Sequence, residues 1–256
     1  MSLPAATRMG PVHLSVADLA RSLAYYDFTL GLHVHSRDGD RAVLGTGGED
    51  LLVLTERPGA VPADGFAGLF HFALLVPERR DLARWLAHAA QDKVPLTGLS
   101  DHFVSEAIYL RDPDHHGIEI YWDRPRSLWE GQVAQRLTTE ALDVEDLMDG
   151  VDRPAGLPEG TVMGHVHLRV TSVPETAAFY RELGFDVMAS MGRQAAFLGA
   201  GGYHHHVGAN TWESAGRPYA PDTTARLERM TILVPGATDP THLTDPSGNP
   251  VTLQPL

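Results

Sequence analysis

Apolar and polar positions alternate through Val12-His13-Leu14-Ser15-Val16, the period of a β-strand, and this sends His13 to one face. Asp18 then stands where a helix starts and Gly31 where it stops, and three strand-like runs follow, the last from Asp50 to Thr55. The same order returns 154 positions later. Gly10-Pro11-Val12-His13-Leu14-Ser15-Val16 is answered by Gly164-His165-Val166-His167-Leu168-Arg169-Val170, and Leu44-Gly45-Thr46-Gly47-Gly48 by Leu198-Gly199-Ala200-Gly201-Gly202. Ser172 with Pro174 starts the helix of this second copy, Gly184 stops it, and Tyr203 to Asn210 is its last strand. Each copy therefore predicts a βαβββ unit. The two glycine pairs are hairpin turns and not phosphate cradles, because no helix follows them.

A further unit of the same kind opens at Leu69-Phe70-His71-Phe72-Ala73-Leu74-Leu75-Val76-Pro77, with a helix from about Arg80 to Gln91 and last strands from Ser105 to Leu110 and Gly117 to Trp122. Arg229-Met230-Thr231-Ile232-Leu233-Val234-Pro235 opens a fourth. That one is short: 35 residues separate Pro77 from Asp112, but only 10 separate Pro235 from Asp245, so a helix and one or two strands are missing. The expected fold is α+β, with four βαβββ units, the fourth truncated. Two domains are expected, 9–123 and 161–256, joined by a connector over 124–160. The connector carries Pro125, Pro154 and Pro158 around Glu140, Asp143, Glu145, Asp146 and Asp149, and reads as a solvated helical linker long enough to wrap one half around the other.

Composition narrows the chemistry. A formal charge of −13 repels nucleic acid and anionic lipid surfaces, and no apolar run reaches the ~18 residues of a membrane span, so neither is an expected partner. A cytoplasmic protein is the expectation, with homo-oligomerisation left open. The absence of Cys removes thiolate nucleophiles, iron–sulfur clusters and Cys-type zinc sites. Fourteen His among 256 residues exceed the ~2% of an average soluble chain, which turns the search to imidazole chemistry. A lone His in a strand is ordinarily a packed or surface residue, and His33, His35, His88, His165 and His242 are read that way, as are His115 and His116 in their exposed Asp-Pro turn.

The second unit is the most specific. It reads His102-Phe103-Val104-Ser105-Glu106-Ala107-Ile108-Tyr109-Leu110-Arg111-Asp112-Pro113-Asp114-His115-His116-Gly117-Ile118-Glu119. That order of His, Tyr, Asp-Pro and Glu resembles the signature of extradiol ring-cleavage dioxygenases, His115 standing where the signature has Gly or Pro. With the repeated βαβββ units, the chain resembles the vicinal oxygen chelate superfamily, and within it the two-domain bacterial catechol 2,3-dioxygenases. The resemblance implies curved mixed sheets that form a cup from paired units, with metal ligands from first and last strands. It implies His71 and Glu119 as ligands of iron(II), or of manganese(II), which the same donors suit. The third ligand is His167, or alternatively His13, the residues at the first-strand position of units three and one.

The same resemblance implies an acid–base His on the fourth strand of the unit that supplies the third ligand. Unit one has Leu51 and Leu52 there, whereas unit three has Tyr203-His204-His205-His206-Val207, where strand alternation selects His205. His102 and Tyr109 would hydrogen-bond substrate and oxygen. A cup from units two and three holds His71, Glu119, His167 and His205 together; the ordinary pairing, one with two and three with four, would give His13, His71 and Glu119. The implied activity is opening of a catechol-type aromatic diol by O₂, as in the catabolism of aromatic hydrocarbons. The alternatives are a glyoxalase-type metal-dependent isomerase or lyase, which favours a fourth ligand where Val53 and Val207 lie, and a metal-free binding or resistance protein.

Overall fold

Each repeat folds for local reasons. A computed structural model describes residues 2–256. In unit one, β1 (Arg8–Val16) leads into α1 (Leu19–Tyr25), whose first turn is closed by the Asp18 carboxylate accepting the Arg21 N–H at 2.9 Å. One π-turn, Tyr26–Leu30, carries the helix on to Gly31, whose φ of 76° reverses the chain. The strands β2 (His33–Asp38), β3 (Arg41–Gly45) and β4 (Leu52–Glu56) complete the unit, and a two-residue β5 (Val61–Pro62) follows. Unit two is β6 (Gly68–Leu75), α2 (Arg79–Gln91), β7 (Leu96–Asp101), β8 (Ser105–Arg111) and β9 (Gly117–Asp123). The amphipathic α2 buries Leu82, Ala83, Trp85, Leu86 and Ala89.

The connector contains α3 (Val133–Arg136), β10 (Glu140–Ala141) and α4 (Val144–Met148). Unit three is β11 (Val162–Arg169), α5 (Val173–Glu182), β12 (Asp186–Met191), β13 (Ala195–Gly199) and β14 (Val207–Asn210), followed by a short β15 (Thr224–Ala225). Unit four is reduced to β16 (Leu227–Val234), β17 (Thr241–Thr244) and β18 (Pro250–Pro255), so its helix and one strand are gone.

The units pair across the connector. A nine-stranded sheet runs β10-β7-β8-β9-β6-β11-β14-β13-β12, joining units two and three through antiparallel β6 and β11. A seven-stranded sheet runs β17-β18-β16-β1-β4-β3-β2, joining units four and one through antiparallel β16 and β1. Each sheet thus draws strands from both halves of the chain. The two sheets share one apolar core, in which Leu14 and Val16 of the first lie with Phe72, Leu74, Val166 and Leu168 of the second. Buried His116, read from sequence as exposed, ties them further: its Nε2 is 2.9 Å from the Ser15 carbonyl.

The connector departs from the solvated helix expected of it. Trp129, Val133, Leu142, Leu147 and Leu157 are buried, and β10 pairs with β7. Arg84 of α2 grips Asp152 with two hydrogen bonds of 2.8 and 2.7 Å, fastening the segment to unit two. Its acidic residues therefore serve as anchors as well as a solvated face.

Candidate metal centre

Strand register lays inward-facing residues in a row. Tyr109 of β8 pairs with Glu119 of β9, Glu119 with Ala73 of β6, and Ala73 with His165 of β11. Ala73 contributes only a methyl group, so the carboxylate and the imidazole on either side meet over it, with His165 Nε2 3.1 Å from Glu119 Oε2. The next row holds His71 beside His167. His71 Nε2 reaches 2.9 Å from Glu119 Oε2 and 3.4 Å from His165 Nε2. His71, Glu119 and His165 are the group of buried His and acidic side chains, among the described residues, whose donor atoms all lie within 4.8 Å of one another.

These donors suit a divalent cation. Three ligands on mutually perpendicular positions, with bonds of ~2.1 Å, stand ~3.0 Å apart, close to the 2.9, 3.1 and 3.4 Å found here. Burial pushes the Glu119 carboxyl up, but the attraction of His165 and His71 outweighs it and holds the group well below the usual carboxylate range. Burial also lowers His165, so its ring offers a lone pair at neutral pH. A buried carboxylate with two converging imidazole nitrogens is costly unless a cation completes it. Nδ1 of His165 has no partner among the described residues, and the ring is packed 4.2 Å from His205 and 4.9 Å from Tyr121 between centroids.

The expected third ligand, His167, lies outside this group. Its ring stands 5.0 Å from that of His71 and packs among Phe70, Phe197 and Trp212, and its buried Nε2 has no partner among the described residues. Burial, with the neighbouring His71 and His165, lowers it well below the ordinary histidine range. His165 and His167 are two residues apart on one strand and face the same way, so alternation cannot choose between them. The repeat itself points to His167, because it aligns that residue with His13 and sets His165 against Pro11. Only the pairing of β11 with β6 and of β6 with β9 brings His165 onto the row of Glu119.

The alternative ligand, His13, belongs to the other sheet. Arg229 of β16 lies opposite it, with Nη2 3.2 and 3.1 Å from the two ring nitrogens. Burial first, then Arg229 and Arg41, lower His13 to about 3. A guanidinium therefore occupies the place a metal would need.

His102 and Tyr109 are brought together, with Nε2 and Oη 2.6 Å apart. Nδ1 of His102 lies 2.6 Å from the Thr138 carbonyl of the connector. A carbonyl only accepts, so Nδ1 carries the hydrogen and Nε2 receives the Tyr109 hydroxyl. Burial and then the Glu119 charge push the Tyr109 phenol well up, which keeps it protonated. The connector thus sets the tautomer of His102, a role invisible in its composition.

Histidines 204 to 206 precede β14 and do not extend it as the sequence pattern suggested. Gly201 and Gly202, with φ of 58° and 74°, turn the chain tightly, and the three rings leave in different directions. His205 lines the cavity, His204 meets Asp123, and His206 Nδ1 accepts the Ala200 N–H at 3.2 Å. Burial, aided by His165 and His204, lowers His205 well below the usual histidine range.

The donors line a cavity of about 740 Å³. Phe70, Leu137, Met191, Phe197 and Trp212 form much of its wall. Arg111 is held by Asp64 at 3.1 Å, and nearby Arg169 by Glu213 at 3.1 Å and Asp64 at 3.7 Å, so both cations are already paired.

The family model of the glyoxalase/bleomycin resistance protein/dioxygenase superfamily matches residues 8–120. The catechol-2,3-dioxygenase of Bacillus subtilis (strain 168) is 41% identical over 240 residues, which cover 90% of this chain and 83% of that protein. Two solved structures show the same fold at low identity. Glyoxalase I from Zea mays superposes with a TM-score of 0.58 at 16% identity, covering 98% of this chain and 92% of that one. The cppA protein from Streptococcus pneumoniae superposes with a TM-score of 0.58 at 13% identity, covering 97% and 99%.

Proposed function

Because this chain belongs to the glyoxalase/bleomycin resistance protein/dioxygenase superfamily, we propose that it is an extradiol dioxygenase that opens a catechol-type ring with O₂ at the His71, Glu119 and His165 centre. The triangle of two imidazoles and one carboxylate inside an apolar cavity is the observation that carries this reading. Iron(II), or manganese(II) with the same donors, would supply a Lewis acid and an electron conduit between the aromatic diol and O₂.

The protein's own groups orient the substrate and move its protons. His205 lines the cavity, and its Nε2 is the proton acceptor that meets the diol. Tyr109, its hydrogen committed to His102, offers an oxygen lone pair to a substrate hydroxyl from the opposite wall. Phe70 and Phe197 flank the ring and exclude water, which strengthens every polar contact at the centre. The donor group holds three side chains, not the four favoured in glyoxalase-type isomerases.

Cavity size and lining also support a substrate class. A volume of about 740 Å³ lies in the range that encloses a drug-sized molecule, well beyond a single diol ring. With Arg111 and Arg169 already paired, the remaining space favours an apolar substituent over a carboxylate. The test is anaerobic loading with iron(II), then oxygen and a panel of catechol, alkyl- and aryl-catechols and carboxylated catechols, followed by the absorbance of the ring-opened product. Apolar-substituted catechols should give the highest kcat/KM. Bound iron with no product across the panel would refute the dioxygenase, and preference for the carboxylated members would refute the substrate class.

A further inference from the structure

Asp123, at the end of β9 in unit two, and His204, in the turn before β14 in unit three, meet behind the cavity wall. Asp123 Oδ1 is 2.8 Å from His204 Nε2, and His204 Nδ1 is 2.8 Å from His205 Nδ1. We propose that Asp123 and His204 are positioning residues that fix which nitrogen of His205 carries hydrogen, so that its Nε2 meets the substrate as an acceptor. This rests on the reading of His205 as the proton acceptor given above.

A carboxylate only accepts, so His204 Nε2 must carry a hydrogen toward Asp123. A ring that carries its one hydrogen on Nε2 has its lone pair on Nδ1. Two bare nitrogens cannot share a 2.8 Å contact, so the hydrogen between the rings belongs to His205 Nδ1. The lone pair of His205 is left on Nε2.

The surroundings hold this chain in place. His204 is wholly buried, with its ring 4.1 Å from that of Tyr203 and 5.5 Å from that of Trp129. Tyr203 donates to Asp123 Oδ2 at 2.9 Å and accepts from Tyr121 at 2.8 Å, so both carboxylate oxygens are committed. Gly164 makes room: a Cβ there would lie 1.9 Å from the Tyr121 hydroxyl. Asp123 comes from one unit and His204 from the other, so the arrangement exists only when units two and three close into one sheet.

The test reads the tautomer directly. In the metal-free protein labelled with ¹⁵N-histidine, the ring-nitrogen shifts of His205 should report hydrogen on Nδ1; hydrogen on Nε2 would overturn the proposal. In Asp123→Asn the amide can donate to His204, and His205 should switch to the Nε2–H form. The iron-loaded variant should lose about 10²-fold in kcat, the low end of what a positioned proton acceptor supplies, with KM and iron content unchanged. His204→Asn, whose side-chain oxygen falls near the Nδ1 position, should retain the wild-type tautomer and most of kcat, whereas His204→Leu should lose both. Equal behaviour of the two His204 variants, or an unchanged tautomer in Asp123→Asn, would refute the role. The spectra are independent of turnover, so a wild-type protein inactive toward every catechol would refute the dioxygenase reading and leave the positioning result standing.

Discussion

Replacing His165 and His167 separately by Ala separates two rings that lie on one face of β11 only two residues apart. His165 Nε2 stands 3.1 Å from Glu119 Oε2 and 3.4 Å from His71 Nε2, so its loss removes one of three donors and leaves a pair. Groups that merely orient metal ligands are worth ~10–100-fold in affinity. A donor itself should therefore account for at least ~100-fold, or ~2.7 kcal/mol. The variant should still fold, because Glu119, which loses the His165 contact, keeps His71 Nε2 at 2.9 Å. His167 approaches the centre only through ring contact with His71 at 5.0 Å, so His167→Ala should shift metal affinity by no more than a few-fold. Iron and manganese affinity, measured by chelator competition and by metal content after desalting, checks both. Loss of metal from His167→Ala with retention in His165→Ala would refute the ligand assignment.

Two further outcomes concern stability. His13, lowered to about 3 by burial and Arg229, is neutral in the folded protein and takes up a proton when the chain unfolds below the ordinary histidine pKa of ~6.5. Its contribution is full above ~6.5 and is lost as pH falls toward 3, so His13→Gln should flatten the fall of Tm across that window; an unchanged slope would contradict the depressed pKa. Gly164→Ala would set a methyl group 1.9 Å from the Tyr121 hydroxyl and 2.6 Å from its ring carbon, an overpacking that should cost ~1–3 kcal/mol. Denaturant unfolding measures it, and a variant as stable as the parent would mean that Tyr121 moves aside freely.

Periodicity, the repeat and a handful of punctuating residues determined much of this protein. Asp18 and Gly31 bound the first helical segment, the short spacing from Pro235 to Asp245 announced the reduced fourth unit, and the run from His102 to Glu119 identified the residues that face the cavity from unit two. Local sequence carries these because capping, turn geometry and strand alternation act over a few residues. The third donor was beyond its reach. His165 and His167 share a face, and the internal repeat favours His167; the choice falls to His165 through the register of β11 on β6 and of β6 on β9, contacts between segments some 50 to 100 residues apart in the chain. The same holds for the Thr138 carbonyl against His102 and for Asp123 against His204. Pairing of units across the connector is a property of the shared core, and only that pairing brings two histidines and one glutamate close enough to hold a single ion.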